Sequence, residues 1–159
     1  MHRNARRVQD ALRAAGSDAE VVELPSSTRT STEAAEAVGV EVGQIAKSLV
    51  FLVGSEPVVA VLSGADRLDT EKLRRHLGAS SVGRADADAV RAATGFPIGG
   101  VSPVAHDVRV VIDRALASYA VIWAAAGTPN AVFRTSVTEL VSLVPGAEVA
   151  DVREDAAGV

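Results

Sequence analysis

Residues 45–53, Ile45-Ala46-Lys47-Ser48-Leu49-Val50-Phe51-Leu52-Val53, place one ammonium group in a run that only Ser48 otherwise interrupts. A run this rich in Val, Ile, Leu and Phe predicts a β-strand over 47–53. The turn Gly54-Ser55-Glu56-Pro57 and a second apolar run, PVVAVLSG at 57–64, complete a β-hairpin. Lysine is seldom fully buried without a partner. The chain has 14 Arg and only 2 Lys, so a Lys at this position needs a reason. Two readings are open. Lys47 either buries its methylenes at a strand entrance and extends its head to water, or sets a point charge at a pocket rim, where it can hold a phosphate or polarise an ester carbonyl. Lys72, among Glu71, Arg74 and Arg75, reads as part of a solvated helix face.

Outward from the hairpin, helical and strand signals mix without strict alternation. Val8, Ala11, Leu12 and Ala15 follow helical spacing up to Gly16, and EVVEL at 20–24 is a short strand. Thr30 and Glu33 have capping-box spacing, which predicts a helix running to Gly39. Further helices are expected at 69–78, with Asp69 or Thr70 as cap, at 86–95, capped by Asp86, and over TELVSLV at 138–144. Strands are expected at SSVGRA (80–85), VRVVIDRAL (108–116), YAVIWAAAG (119–127), NAVFRTS (130–136) and AEVADV (147–152), before a loose acidic tail. The pattern fits a single α+β domain over 1–159, with a mixed, mostly antiparallel sheet and flanking helices.

Composition removes several function classes. Without Cys there is no disulfide scaffold, thiolate metal site or Cys nucleophile. The N-terminus carries no apolar signal segment, and no run approaches the roughly 18 apolar residues that span a bilayer, so a cytoplasmic location is expected. The net charge of −4 argues against broad duplex binding but not against a local grip on a few phosphates. No GxxxxGK[ST] loop is present, and His2, His76 and His106 lie far apart. Gly100-Val101-Ser102 begins like a nucleophile elbow, yet Val104 stands where the last Gly belongs. Pro103 also has no N–H to serve as the oxyanion donor. What remains is GFPIGGVSP at 95–103, with three Gly and two Pro in nine residues, and the similar AGTPN at 126–130. Such a path brings bare backbone N–H groups close to a ligand, or else simply shapes a packed loop.

GQIAKSLVF at 43–51, TGFPIGGVSPVAH at 94–106, AAAGTPNAVF at 124–133 and the terminal ELVSLV at 139–144 resemble, in order and spacing, the YbaK/ProX-type proteins. These are free-standing relatives of the bacterial prolyl-tRNA synthetase editing domain. The resemblance covers residues 18–152. It implies an α+β fold and hydrolysis of the ester of mischarged aminoacyl-tRNA, with cysteinyl- or alanyl-tRNA(Pro)-type substrates and no metal or cofactor. It implies Lys47, Gly99, Gly100, Val101 and Ser102 as the catalytic set, with Lys47 positioning the terminal adenosine and ester while the loop backbone binds the oxyanion. Thr30, Pro103, Gly127, Thr128 and Asn130 are implied on the substrate side. The partners implied are the tRNA 3′ acceptor end and an aminoacyl-tRNA synthetase. The sequence departs from many relatives at Val-Glu-Leu-Pro25, where they carry a His before the Pro, and at Val21 and Val22, where some place an aromatic. The alternatives are a non-catalytic module binding tRNA ends or nucleotides beside a synthetase, and a small-molecule binding protein with no nucleic-acid partner.

Overall fold

In the computed structural model, which describes residues 1–155, one mixed sheet organises the chain. Its strands are β1 (Val21–Glu23), β2 (Ile45–Val53), β3 (Glu56–Ser63), β4 (Gly83–Arg84), β5 (Arg109–Asp113), β6 (Ile122–Ala125), β7 (Ala131–Thr135) and β8 (Glu148–Ala150). They lie in the order β1-β7-β6-β2-β3-β5-β8, with β4 joined to β2 off that path. The pairs β1–β7, β2–β3, β2–β4 and β6–β7 are antiparallel; β2–β6, β3–β5 and β5–β8 are parallel. The hairpin read from the sequence is β2–β3, paired from Ala46↔Ser63 to Val53↔Glu56. β3 is buried on both faces from Val58 to Ser63, which explains why its sequence is continuously apolar rather than alternating.

Five helices cover the two faces. α1 (Arg3–Ala14), α4 (Ala87–Thr94) and α5 (Val137–Leu143) bury Ala5, Val8, Leu12, Val90, Val137 and Leu140 in the main core, with Val50, Val59, Val61, Ile112 and Phe133 of the sheet. On the other face α3 (Thr70–Leu77) sets Leu73 against Phe51, Val58, Ala60 and Leu62. There α2 (Ser31–Val38) sets Ala34 and Ala35 against Ile45. Capping residues account for the boundaries. The Thr30 hydroxyl accepts from Glu33 N–H while the Glu33 carboxylate accepts from Thr30 N–H, the reciprocal box expected from the spacing. Asp69 and Asp86 cap α3 and α4 in the same sense.

Three sequence expectations change. The strand expected at 108–116 ends at Asp113, because its carboxylate caps a 3₁₀ turn, Arg114–Ser118, by accepting from Ala115 N–H. Lys72 is not a free surface cation. Its ammonium donates to Asp151, Asp155 and the Arg153 carbonyl, tying α3 to the C-terminal segment. The expected loose tail is anchored through residue 155, with Val152 fully buried and Glu154 N–H donating to Arg67 C=O. The remainder of that tail, 156–159, lies outside the described residues.

Asp113 joins these parts. Fully buried, it accepts from Ala115 N–H with one oxygen and from Val152 N–H with the other. Removing a buried acceptor leaves both donors unpaired, at a cost of about 1–3 kcal/mol for each such group. Asp113→Ala should therefore lower the unfolding free energy by at least ~2 kcal/mol in urea titrations.

Candidate active site

β2 is paired along its whole length on one side only. On the other side β6 meets it at Ile45↔Trp123 and Ala46↔Ala124, and β4 at Phe51↔Arg84 and Leu52↔Gly83. Among the described residues no strand covers 47–50 on that side. A cleft of about 310 Å³ opens there, lined by Lys47, Ser48, Leu49 and Val50 of β2 and by Arg29, Thr30 and Ser31 ahead of and in α2. Arg84, Ala85 and Val90 line it next to β4 and α4, and Ile98, Gly99, Val101, Ala125, Pro129 and Val132 come from the loops opposite.

Side chains alternate across β2, so Lys47 and Ser48 face opposite sides of the sheet. Ala46 and Val50 enter the main core, whereas Ile45 packs under α2 and Leu49 and Phe51 under α3. Lys47 thus stands between the two smaller apolar clusters, where neither helix covers it. It is half-buried, and its Nζ donates to the main-chain carbonyl of Asp66 at 2.6 Å. Among the described residues no carboxylate pairs with it; the Asp66 carboxylate lies 3.4 Å from Arg153 instead. Burial holds the Lys47 ammonium below its ordinary pKa of 10.5, with Arg67 and Arg84 adding to the shift and Asp66 opposing it. Arg29, Arg67 and Arg84 are exposed and take part in none of the ion pairs among the described residues. An acidic chain therefore presents a locally cationic rim at this cleft.

The 95–106 loop faces Lys47 across the cleft. Pro97 C=O accepts from Gly100 N–H at 3.0 Å, with Gly99 at φ +84°, a turn that favours glycine in its third position. The Gly100 donor is thereby used, whereas the N–H groups of Ile98, Gly99, Val101 and Ser102 have no acceptor among the described residues, and of these Ile98, Gly99 and Val101 line the cleft. Gly100 touches the neighbouring loop directly: a Cβ there would lie 2.8–2.9 Å from the Thr128 backbone. From α1, Arg7 donates to the Thr94 and Ala105 carbonyls and lies over the Phe96 ring, 4.5 Å from its centroid. His106 Nδ1 accepts from Val108 N–H, so its Nε2–H donates to the Ser102 carbonyl at 2.8 Å. Both ends of the loop are pinned.

Of the residues named from the sequence, Lys47, Thr30, Gly99 and Val101 line the cleft. Gly100, Ser102, Gly127, Thr128 and Asn130 are not part of that lining, and Pro103 faces the opposite way, toward Leu12 of α1 and Leu143 of α5. Ser102 is fully buried, its Oγ accepting from Val104 N–H. Gly127 C=O accepts from Asn4, and Asn130 exchanges hydrogen bonds with Leu24. These residues fix the walls. Arg29, Ser48, Arg84, Ala85 and Val90 line the cleft and carried no local motif that would have singled them out. Among the described residues no cluster of three or more His, Asp or Glu is placed to hold a metal ion.

Residues 25–143 match the family model of the aminoacyl-tRNA editing domain. The chain belongs to that family. It is 32% identical over 124 residues to the uncharacterized protein YwhH of Bacillus subtilis (strain 168), covering 76% of this chain and 78% of that protein. Over 95 residues it is 37% identical to the proline–tRNA ligase of Streptococcus equi subsp. equi (strain 4047), covering 58% of this chain but only 15% of the ligase. A crystal structure of a candidate trans-editing enzyme for prolyl-tRNA synthetase superposes with a TM-score of 0.93 at 47% identity, over 98% of this chain and 99% of that one. The α+β fold and the YbaK-type family expected from the sequence are both found.

Two outcomes follow from the loop. A methyl at Gly100 must push two backbones apart, so Gly100→Ala should destabilise by about 1–3 kcal/mol and depress any activity of the cleft, read by calorimetry and by assay together. His106 has its pKa lowered from 6.5, chiefly by burial and further by Arg7, against the Ser102 carbonyl and Asp107. The unfolded chain then binds more protons than the folded one just below pH 6.5. Stability present above that value should decline as pH falls below it, and His106→Asn should flatten the melting temperature between pH 7 and 5.5.

Proposed function

We propose that the protein is a trans-acting deacylase that hydrolyses the ester of mischarged aminoacyl-tRNA, with small aminoacyl groups such as cysteine or alanine on a proline-type tRNA as its substrates. The observation that carries this reading is Lys47: a half-buried ammonium held, among the described residues, by one main-chain carbonyl and no carboxylate, facing a glycine-rich loop across an open cleft. A cation placed this way keeps its charge for an incoming anion or polarised carbonyl.

Lys47 would grip the terminal ribose-phosphate or the ester carbonyl. Arg29 and Arg84 at the rim suit the phosphates of the single-stranded 3′ end. The oxyanion formed on attack would meet Gly99 and Val101 N–H, donors on the cleft side of a loop held still by the Pro97 turn and the His106 bond to Ser102. A water would attack the ester carbonyl, its proton passing by way of the 2′-hydroxyl of the terminal ribose to the departing 3′-oxygen, since among the described residues no His, Asp or Glu lines the cleft to act as a base. The apolar lining of Ala46, Val50, Ala85, Val90, Val101 and Val132 suits a small side chain.

Deacylation of cysteinyl-, alanyl-, seryl- and threonyl-tRNA, assayed side by side, tests this directly. Lys47→Ala should lower kcat/KM by about 100-fold or more on the preferred substrate while the fold melts normally. Wild-type-like turnover by that variant would sink the assigned role. Because burial and nearby Arg hold the Lys47 pKa down, affinity for a non-hydrolysable aminoacyl-adenosine analogue should fall at a pH below the ordinary lysine value of 10.5. Lys47→Arg should shift that loss to higher pH.

A further inference from the structure

Ser48 presents a different problem. Among the described residues its Oγ is the one buried side-chain polar atom with no hydrogen-bond partner, and the residue is only 8% exposed. An enclosed hydroxyl left unpaired costs on the order of 1–3 kcal/mol, so its retention calls for a partner that arrives from outside the chain.

The main chain at Ser48 has the same deficit. Gly64 N–H donates to Ile45 C=O, so the odd residues of β2 turn their backbone groups toward β3. The even residues turn theirs the other way, as Ala85 N–H donating to Val50 C=O confirms. Ser48 N–H and C=O therefore point into the cleft, between the last residue paired with β6 and the first paired with β4. One residue thus supplies an open carbonyl and an unpartnered hydroxyl at the boundary between the cationic rim and the apolar lining.

Resting on the deacylase reading above, we propose that Ser48 receives the α-ammonium of the aminoacyl group through its Oγ and its main-chain carbonyl. The acyl side chain would then lie among Ala46, Val50, Val90 and Val101, and the ester toward Lys47. Two unsatisfied acceptors need a donor, and the α-ammonium is the strong donor that every aminoacyl ester carries beside its carbonyl carbon. Ser48 would be a binding residue that reads a free amino group, so that N-blocked aminoacyl-tRNA is refused whatever its side chain.

The test uses alanyl-tRNA and N-acetylalanyl-tRNA with the wild type and Ser48→Ala. The wild type should hydrolyse the acetylated ester at least tenfold less efficiently. Ser48→Ala should lose about tenfold in kcat/KM on alanyl-tRNA, mostly in KM, and change little on the acetylated ester. Its melting temperature should hold or rise, because the substitution removes an unpaired group rather than a bond. Equal rates for both proteins on alanyl-tRNA, or an equal loss on both esters, overturns the assignment. A wild type inactive on every charged tRNA would instead overturn the deacylase reading, and this assignment with it.

Discussion

Strand β2 is bonded along one edge and left open along the middle of the other, and the site depends on that asymmetry. β3 pairs with it from end to end, whereas β6 and β4 each reach it for two residues. A central strand with an open edge would ordinarily be a place for unwanted strand pairing. Here the exposed stretch is only four residues long and is walled by the loops at 95–106 and 126–130. Those walls are stiff because their backbones touch at Gly100 and Thr128, and because Arg7 and His106 use their donors on loop carbonyls.

The same geometry separates the chemistry by face. Alternation along β2 puts Lys47 toward α2 and α3 and Ser48 toward the main core, while the open edge lets both border one cleft. Charge accumulates at the rim, with Arg84 acting on the ammonium and Arg29 lining the same cleft, and apolar surface lies deeper. A substrate with an anionic, polar end and a small apolar end meets matching surfaces without any helix or strand having to move.

Much of this was legible in the chain. The hairpin, the capping box at Thr30 and Glu33, and the caps Asp69 and Asp86 are local features, decided by residues three or four apart, and they stand where the spacing put them. Lys47 and the 95–103 loop were conspicuous because each breaks the composition around it. Lys72 was misread because its partners, Asp151 and Asp155, lie some eighty residues away. Asp113 ends its strand through a local cap on Ala115 N–H, but its second bond, to Val152 N–H, joins residues far apart in the chain. Ser48 looked like a blemish in an apolar run, since nothing local distinguishes a satisfied hydroxyl from an orphan.

The sequence by itself determined the elements, the family resemblance and the two stretches that carry unusual chemistry, because periodicity, caps and turn residues act over short range. Only the tertiary structure decided which residues line the cleft and which merely hold its walls. It assigned Gly100 N–H to Pro97, left Thr128 and Asn130 out of the lining, and brought Arg29 and Arg84 to the rim. The physical reason is strand order: the gap beside Lys47 exists because pairing with β6 stops at Ala46 and pairing with β4 begins at Phe51, and no stretch of sequence encodes where its neighbours in a sheet will end.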